Sequence, residues 1–261
     1  MKIRTIASGS SGNCLLASAG GCHVLVDAGV SCRRITRALA EQGLTPDDLS
    51  GILVTHEHTD HIAGLAVLTK HTRVPIYTSP GTAYQLCNKI AGMDGLIHTI
   101  NPGDNFEVDA FGVETFATSH DAAQPMGFAL NHQGRKAAVV TDLGYVSDAV
   151  RKGVSGAHLL VCEANHDPEM LWYGPYPYPL KNRIAGESGH LSNTDGAQLA
   201  CRCVEHGTHT VILAHLSDKN NTPRLALDAA ASALRAMGAK PGRDITLTAA
   251  PRSELSAVYE V

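Results

Sequence analysis

No stretch of 18 apolar residues occurs in the chain, so no membrane-spanning helix is expected. The start, Met1-Lys2-Ile3-Arg4-Thr5, lacks the apolar run of a secretory leader. The seven cysteines (Cys14, Cys22, Cys32, Cys87, Cys162, Cys201, Cys203) contain no CxxC spacing and are odd in number. Reduced, mostly buried thiols in a cytoplasmic protein are expected. Cys201 and Cys203 fall in a helix-like stretch, where side chains two apart diverge and do not share a metal. Charge of one sign is also scarce. A net charge of -4 gives no broad basic field, which argues against a non-specific DNA clamp. It does not exclude a nuclease, because bound divalent ions would add local positive charge that the count omits.

No low-complexity linker and no repeat divides the 261 residues, and one domain spanning 1–261 is expected. Hydrophobic residues make up 44% and charged residues 18%, enough for a sizeable core. Short apolar runs alternate with helical patterns. Strands are expected at 3–7, 14–18, 22–27, 51–55, 76–78, 108–118, 126–131, 136–141, 159–163, 210–214, 245–248 and 256–259. Helices are expected at 31–42, 82–91, 194–205 and 224–237, three of them closed by Gly43, Gly207 and Gly238. Thr222 and Pro223 supply a cap and a first-turn proline for the last helix. Tyr173 to Leu180 holds three prolines in five residues and reads as a stiff, extended loop. Helices and strands mixed throughout favour two sheets covered by helices.

The strongest chemical signal is Thr55-His56-Glu57-His58-Thr59-Asp60-His61, which follows the apolar run Ile52-Leu53-Val54. In an extended segment His56 and His58 point the same way. Asp60 and His61 are adjacent and diverge. One short turn therefore offers two imidazoles to one ion and a carboxylate with an imidazole to a neighbouring ion. These donors suit zinc, iron or manganese. Packing gives no reason for four such side chains in six residues, since each would need its own buried partner. His120, Asp142 and His215 each stand where a later apolar run ends, the place where sites gather in layered α/β folds. The isolated His23, His71, His98, His132, His206 and His209 read as structural.

His56-x-His58-x-Asp60-His61, followed in order by His120, Asp142 and His215, resembles the metallo-β-lactamase superfamily over essentially the whole chain. The resemblance implies an α/β fold, a four-layer αβ/βα sandwich with a two-metal site at one edge of its sheets. It assigns His56, His58 and His120 to a first metal, Asp60, His61 and His215 to a second, and Asp142 to a bridge. Asp27-Ala28-Gly29 also matches, and its carboxylate is expected behind the metals, orienting an imidazole; the plain alternative is a turn residue.

Within the superfamily, Ser8 to Asn13, His56 to His61 and Gly189-His190-Leu191-Ser192-Asn193 look like the YycJ/WalJ/VicX group of exonuclease-like hydrolases, as do the segments around Glu163 and Tyr178 to Ile184. The Gly-His-Leu-Ser stretch is also similar to one in ribonuclease Z. That resemblance implies phosphodiester hydrolysis of DNA, 5′ to 3′, with two divalent ions (zinc, manganese or iron) and nucleic acid as the partner. The resemblance and the chemistry make Asp60, His190 and Glu163 the expected catalytic group: His190 for phosphate charge and the leaving oxygen, Glu163 to orient it, Asp60 to accept a proton. Lys181, Arg183, Ser10 and Asn13 are the expected substrate contacts. Tyr176 and Tyr178 either stack on bases or pack in their loop. Ser192 or Asn193 is expected to cap a helix, which leaves His190 unexplained by structure alone. The rival readings are a thioester, lactone or β-lactam hydrolase, a small-molecule phosphodiesterase, and a metal-binding scaffold or regulator.

Overall fold

A computed structural model describes residues 1–261. The first half supplies β1 (Lys2–Ala7), β2 (Cys14–Ala19), β3 (Cys22–Val26), β4 (Gly51–Leu53), β5 (Ile76–Thr78) and β6 (Ile97–Thr99). The second supplies β7 (Asn105–Val108), β8 (Phe111–Ala117), β9 (Met126–His132), β10 (Arg135–Val140), β11 (Leu159–Glu163), β12 (Thr210–Ala214) and β13 (Thr246–Ala249), and β14 (Tyr259–Glu260) ends the chain. One seven-stranded sheet runs β14-β1-β2-β3-β4-β5-β6 and the other β13-β12-β11-β10-β9-β8-β7. Each half begins as an antiparallel meander and ends in parallel strands (β3 to β6, β10 to β13).

Parallel neighbours need crossovers, and here those crossovers are helices. They are α1 (Cys32–Ala40), α2 (Thr59–Ile62), α3 (Leu65–His71) and α4 (Pro80–Lys89) on the first sheet. The second half supplies α5 (Asp148–Val154), α6 (Pro168–Tyr173), α7 (Tyr178–Ala185), α8 (Asn193–Glu205) and α9 (Pro223–Ala236), of which α5, α8 and α9 pack on the second sheet. In α1 the buried residues Ile35, Ala38 and Leu39 fall on one helical face. Side-chain oxygens of Ser31, Ser79, Ser147, Asp167, Ser192 and Thr222 accept first-turn N–H groups and so fix where these helices start.

Strand alternation then builds three cores. Between the sheets lie Val24, Val26, Phe111, Phe128, Val139, Val161 and Ile212. Leu25 and Ile52 face the other way, against Ile35, Leu39 and Leu68 of the helices. Val140, Leu160, Val211 and Leu213 pack on Ala200 and Leu234. The result is the expected four-layer αβ/βα sandwich. No helix is long and apolar enough to cross a membrane. All seven cysteines are free, with Cys203 buried and Cys201 half-buried.

Four local expectations change. The run 108–118 starts inside a hairpin: Asp109 adopts φ 47° and turns the chain after Val108, so the strand itself is β8, Phe111–Ala117. The stretch from Tyr173 to Leu180 is helical at both ends and a loop only at residues 174–177: α6 ends at Tyr173 and α7 begins at Tyr178, with Pro179 in the first turn, where a missing N–H costs nothing. Of the expected last strand, 256–259, only Tyr259 pairs, and the pairing continues into Glu260. The strand before His56 ends at Leu53, so residues 54–58 cross the sheet edge without strand pairing.

Candidate metal centre

Six strands deliver polar residues to one edge of the sandwich. Asp27 follows β3, His56 lies three residues past β4, His120 three past β8, Asp142 two past β10, Glu163 closes β11, and His215 follows β12. Asp60 and His61 arrive on α2. Gly29 makes their approach possible: a Cβ there would lie 1.6 Å from the Asp60 carbonyl oxygen, so no other residue fits the turn after β3.

The seven expected ligands converge. His58 Nδ1 and His120 Nε2 are 3.2 Å apart. His61 Nε2 lies 3.2 Å from Asp142 Oδ2 and 3.5 Å from Asp60 Oδ2, and His215 Nε2 lies 3.4 Å from Asp60 Oδ2. Asp142 Oδ1 is 3.7 Å from His120 Nε2, so this carboxylate stands between the two groups. Atoms of His56, His58 and His120 form one cluster and those of Asp60, His61 and His215 another, and two further clusters, His56 with His61 and Asp142 and Asp142 with Glu163, His190 and His215, overlap them. Ligands about 2.1 Å from a tetrahedral ion stand about 3.4 Å from one another, which matches these separations.

Three of the atoms have no other use. His56 Nε2, Asp142 Oδ2 and His215 Nε2 are buried and form no hydrogen bond. An unpaired buried polar atom costs about 1–3 kcal/mol, and three in one centre fit cations that take their lone pairs. The ligands' other ends are held. Asp27 Oδ1 accepts the N–H and hydroxyl of Thr55, and its Oδ2 lies 2.7 Å from His61 Nδ1. Glu163 Oε1 lies 2.9 Å from His190 Nδ1 and 2.7 Å from His215 Nδ1, while its oxygens also accept the N–H groups of Asp142, Leu143 and Leu191. Such bonds to the far nitrogen aim the near one at a metal.

Charges are strongly coupled. Burial opposes ionisation of Asp142, but His215 and His61 outweigh it and hold the acid far below the usual carboxylate range. Burial likewise opposes charge on Asp60 and is outweighed by His215 and His61, whose Nε2 atoms lie 3.4 and 3.5 Å from its Oδ2. Glu163 is pushed down to about 2 against its burial, by His190 and His215. His215 is raised to about 10 against its burial, by Asp142, Asp60 and Glu163. Burial and neighbouring His61 drive His56 well below the ordinary histidine range, leaving it neutral.

A cavity of about 190 Å³ opens beside the cluster, with Ser10, His120, Asn165, Tyr176, Arg183 and His190 in its wall. Arg183 is paired at 2.6 Å with Asp121, whose other oxygen lies 3.5 Å from His120 Nε2. Lys181 is placed elsewhere: its Nζ donates to the Trp172 carbonyl at 2.8 Å and it is not part of that wall. Asn13 is buried and turned inward, with Oδ1 accepting the Gly9 N–H and Nδ2 3.1 Å from His61 Nε2. Ser8 Oγ accepts the His215 N–H, so the Ser8 to Asn13 loop clamps the ligands from below. Sequence reasoning missed Thr55, Asp121 and Asn165, whose only signal is adjacency to His56, His120 and the Glu163 strand end.

Comparison with known proteins settles the family. Residues 23–216 match the beta-lactamase superfamily domain. The chain is 43% identical over 230 residues to exodeoxyribonuclease YycJ of Bacillus anthracis, covering 85% of this chain and 84% of that protein. This chain belongs to the beta-lactamase superfamily, in its YycJ/WalJ-like group. Exodeoxyribonuclease WalJ of Streptococcus pneumoniae is 39% identical over 86% of this chain and 85% of its own length. The metallo-beta-lactamase fold protein YhfI of Bacillus subtilis shares the fold at TM-score 0.74, with 17% identity over all of this chain and 99% of its own. Membership brings divalent metal ions and hydrolytic chemistry, and it bears out the resemblance read from the motifs.

Proposed function

We propose that this chain is a cytoplasmic, two-cation DNA exonuclease built as one domain, degrading its substrate 5′ to 3′. Relatives named as exodeoxyribonucleases match over most of the length. The observation that carries the reading is the convergence of His56 Nε2, Asp142 Oδ2 and His215 Nε2, each buried and unpaired, beside a cavity walled by His190 and Arg183. In this reading His56, His58 and His120 hold one cation, Asp60, His61 and His215 the second, and Asp142 lies between. Four carboxylates crowd the centre (Asp27, Asp60, Asp142, Glu163) beside His61 and His215, which supports a pair of divalent ions taking the place of the imidazole protons. Mixed imidazole and carboxylate donors suit zinc, manganese or iron.

When bound, such a pair lowers the pKa of a water and offsets charge on phosphate oxygens. His190 supplies the next function. Its Nδ1 is committed to Glu163, its ring lines the cavity, and its Nε2 forms no protein hydrogen bond. It is thus oriented to protonate the leaving oxygen or to stabilise the phosphorane-like charge. Asp60, ionised and partly open to solvent, accepts the proton of the attacking water. Arg183 contacts a phosphate oxygen by exchanging its Asp121 partner, and Ser10, also in the cavity wall, contacts the strand. Glu163 and Asn13 act as positioning residues.

The test is manganese-loaded protein on end-labelled DNA with free or blocked 5′ phosphates, beside bis(p-nitrophenyl) phosphate, with His58→Ala as control. Degradation of DNA with a free 5′ end, lost in the control, is expected. Hydrolysis of the small ester with intact DNA would replace the nuclease by a small-molecule phosphodiesterase. Bound cations with no hydrolysis at all would make it a scaffold.

A further inference from the structure

The chain has one tryptophan and seven tyrosines, and their placement is uneven. Trp172, Tyr173 and Tyr178 are 43%, 89% and 69% exposed within seven residues of chain, whereas Phe111 and Phe128 are fully buried. Large apolar rings left in water forgo the gain that drives the rest of the fold. Tyr176, between them, lines the cavity that holds His120 and His190. The ring centroids of Trp172 and Tyr178 are 6.1 Å apart and tilted by 44°, so the two rings are not stacked face to face and leave faces open for another ring.

This ledge is held in place. Trp172 and Tyr173 end α6, Tyr178 begins α7, and the short connection contains Pro175 and Pro177. Lys181 ties the two helices together through the Trp172 carbonyl. Arg183, on the same helix as Tyr178, reaches the cavity wall. Through Tyr176 the exposed aromatic surface adjoins the cavity that takes phosphate in the nuclease reading. A chain bearing both phosphates and flat rings fits this arrangement, whereas a protein partner accounts for the ledge without accounting for its continuity with the cavity.

We infer that the ledge of Trp172, Tyr173 and Tyr178 is a nucleobase-stacking platform, which takes unpaired bases of a single strand while the adjoining phosphodiester enters the cavity past Tyr176. This rests on the nuclease reading and specifies the strand state of its substrate. Every base offers a π-face, so such a platform is indifferent to sequence. Duplex bases are stacked on one another and give it nothing to hold.

Trp172, as the lone tryptophan, is a built-in reporter. Metal-free protein in chelator is titrated with a 12-residue oligodeoxythymidine, so that binding is read without cleavage. Saturable quenching of Trp172 fluorescence is expected, weaker with a duplex of equal length and absent with an abasic strand. Tyr173→Ala/Tyr178→Ala is expected to weaken the apparent Kd by about tenfold or more, with melting temperature and bound manganese as checks on folding. Quenching that is absent, or equal with the abasic strand, or undiminished in the double variant under intact folding, would overturn the platform. DNA cleavage by wild-type protein that survives unchanged in the double variant sinks the platform alone. Absence of DNA cleavage by wild-type protein sinks the nuclease reading.

Discussion

Replacing Glu163 by Gln keeps the side-chain shape and removes a charge that five donors share. Oε2 accepts the backbone N–H groups of Leu143 at 3.3 Å and Leu191 at 2.8 Å. Oε1 serves the Asp142 N–H at 3.2 Å and Nδ1 of His190 and His215 at 2.9 and 2.7 Å. An amide satisfies neither arrangement. With its NH2 at the Oε2 position, two buried backbone donors lose their acceptor. With its NH2 at the Oε1 position, the Asp142 N–H is orphaned and both imidazoles must accept through Nδ1. That moves the His215 proton to Nε2, the atom expected to ligate metal. At about 1–3 kcal/mol per stranded donor, E163Q loses about 3 kcal/mol, or about 6–12 °C of Tm for a chain of this size. Metal affinity or activity should fall by about 10- to 100-fold.

The assay is thermal melting in chelator, followed by calorimetric titration with manganese. The sign with pH is fixed. The folded-state pKa of Glu163 is about 2 against an ordinary 4.5, so its contribution is present above 4.5 and is lost as pH falls toward 2. The gap between wild type and E163Q should therefore close on acidification through that window. Superimposable melts at pH 7, with unchanged manganese affinity, would refute the view that Glu163 organises the centre.

Further outcomes follow from the same geometry. Asp142→Ala should abolish activity and reduce bound metal toward one ion per chain by elemental analysis; two tightly held ions would break the bridge assignment. His190→Ala should keep its metal but turn over about a hundredfold more slowly, and unchanged turnover would remove His190 from the chemistry. Because the His215 pKa stands at about 10 in the cation-free centre, a cation must displace its proton near neutral pH. Calorimetry in buffers of different ionisation enthalpy should show proton release, and affinity should tighten as pH rises toward 10; a pH-independent affinity would contradict the coupling.

Much of this centre was legible because its donors are dense where apolar runs stop. Four ligand types in six residues after Ile52-Leu53-Val54 have no packing explanation, and His120, Asp142 and His215 each follow a strand that alternation makes visible. The four layers follow from runs such as Thr210–Ala214, whose residues face two different cores in turn. Less visible were elements whose stability is tertiary. Helices α5, α6 and α7 have six to eight residues, too short to stand on propensity alone. Asp109 cut the start off an expected longer strand through a backbone angle that the apolar pattern of 108–118 does not register. Thr55 and Asn165 are ordinary loop residues by type, and only the fold reveals their bonds to Asp27 and to the His215 carbonyl.

Backbone conformation at the strand ends adds a final constraint. Asp27, Asp142 and His215 have φ of 61°, 59° and 55°, the left-handed region that side chains other than glycine seldom occupy. Each lies directly past or one residue beyond a strand. Continuing the pleat would send these side chains into the apolar core or the helix layer; the left-handed turn places them over the sheet edge, at the centre. Bonds hold the turns: His215 N–H to Ser8 Oγ, Asp142 N–H to Glu163, Asp27 N–H to the Leu53 carbonyl. If the conformation is strained, Asp142→Gly and Asp142→Ala should part company. Both lose the carboxylate and its charge coupling to His61 and His215, so both should be inactive. Glycine adopts the turn freely, whereas alanine retains the Cβ penalty of about 1 kcal/mol. Chemical denaturation in chelator should therefore find Asp142→Gly the more stable by about that amount. Equal stabilities, or alanine the more stable, would mean that the turn costs nothing and that ligand placement is not achieved at the expense of the backbone.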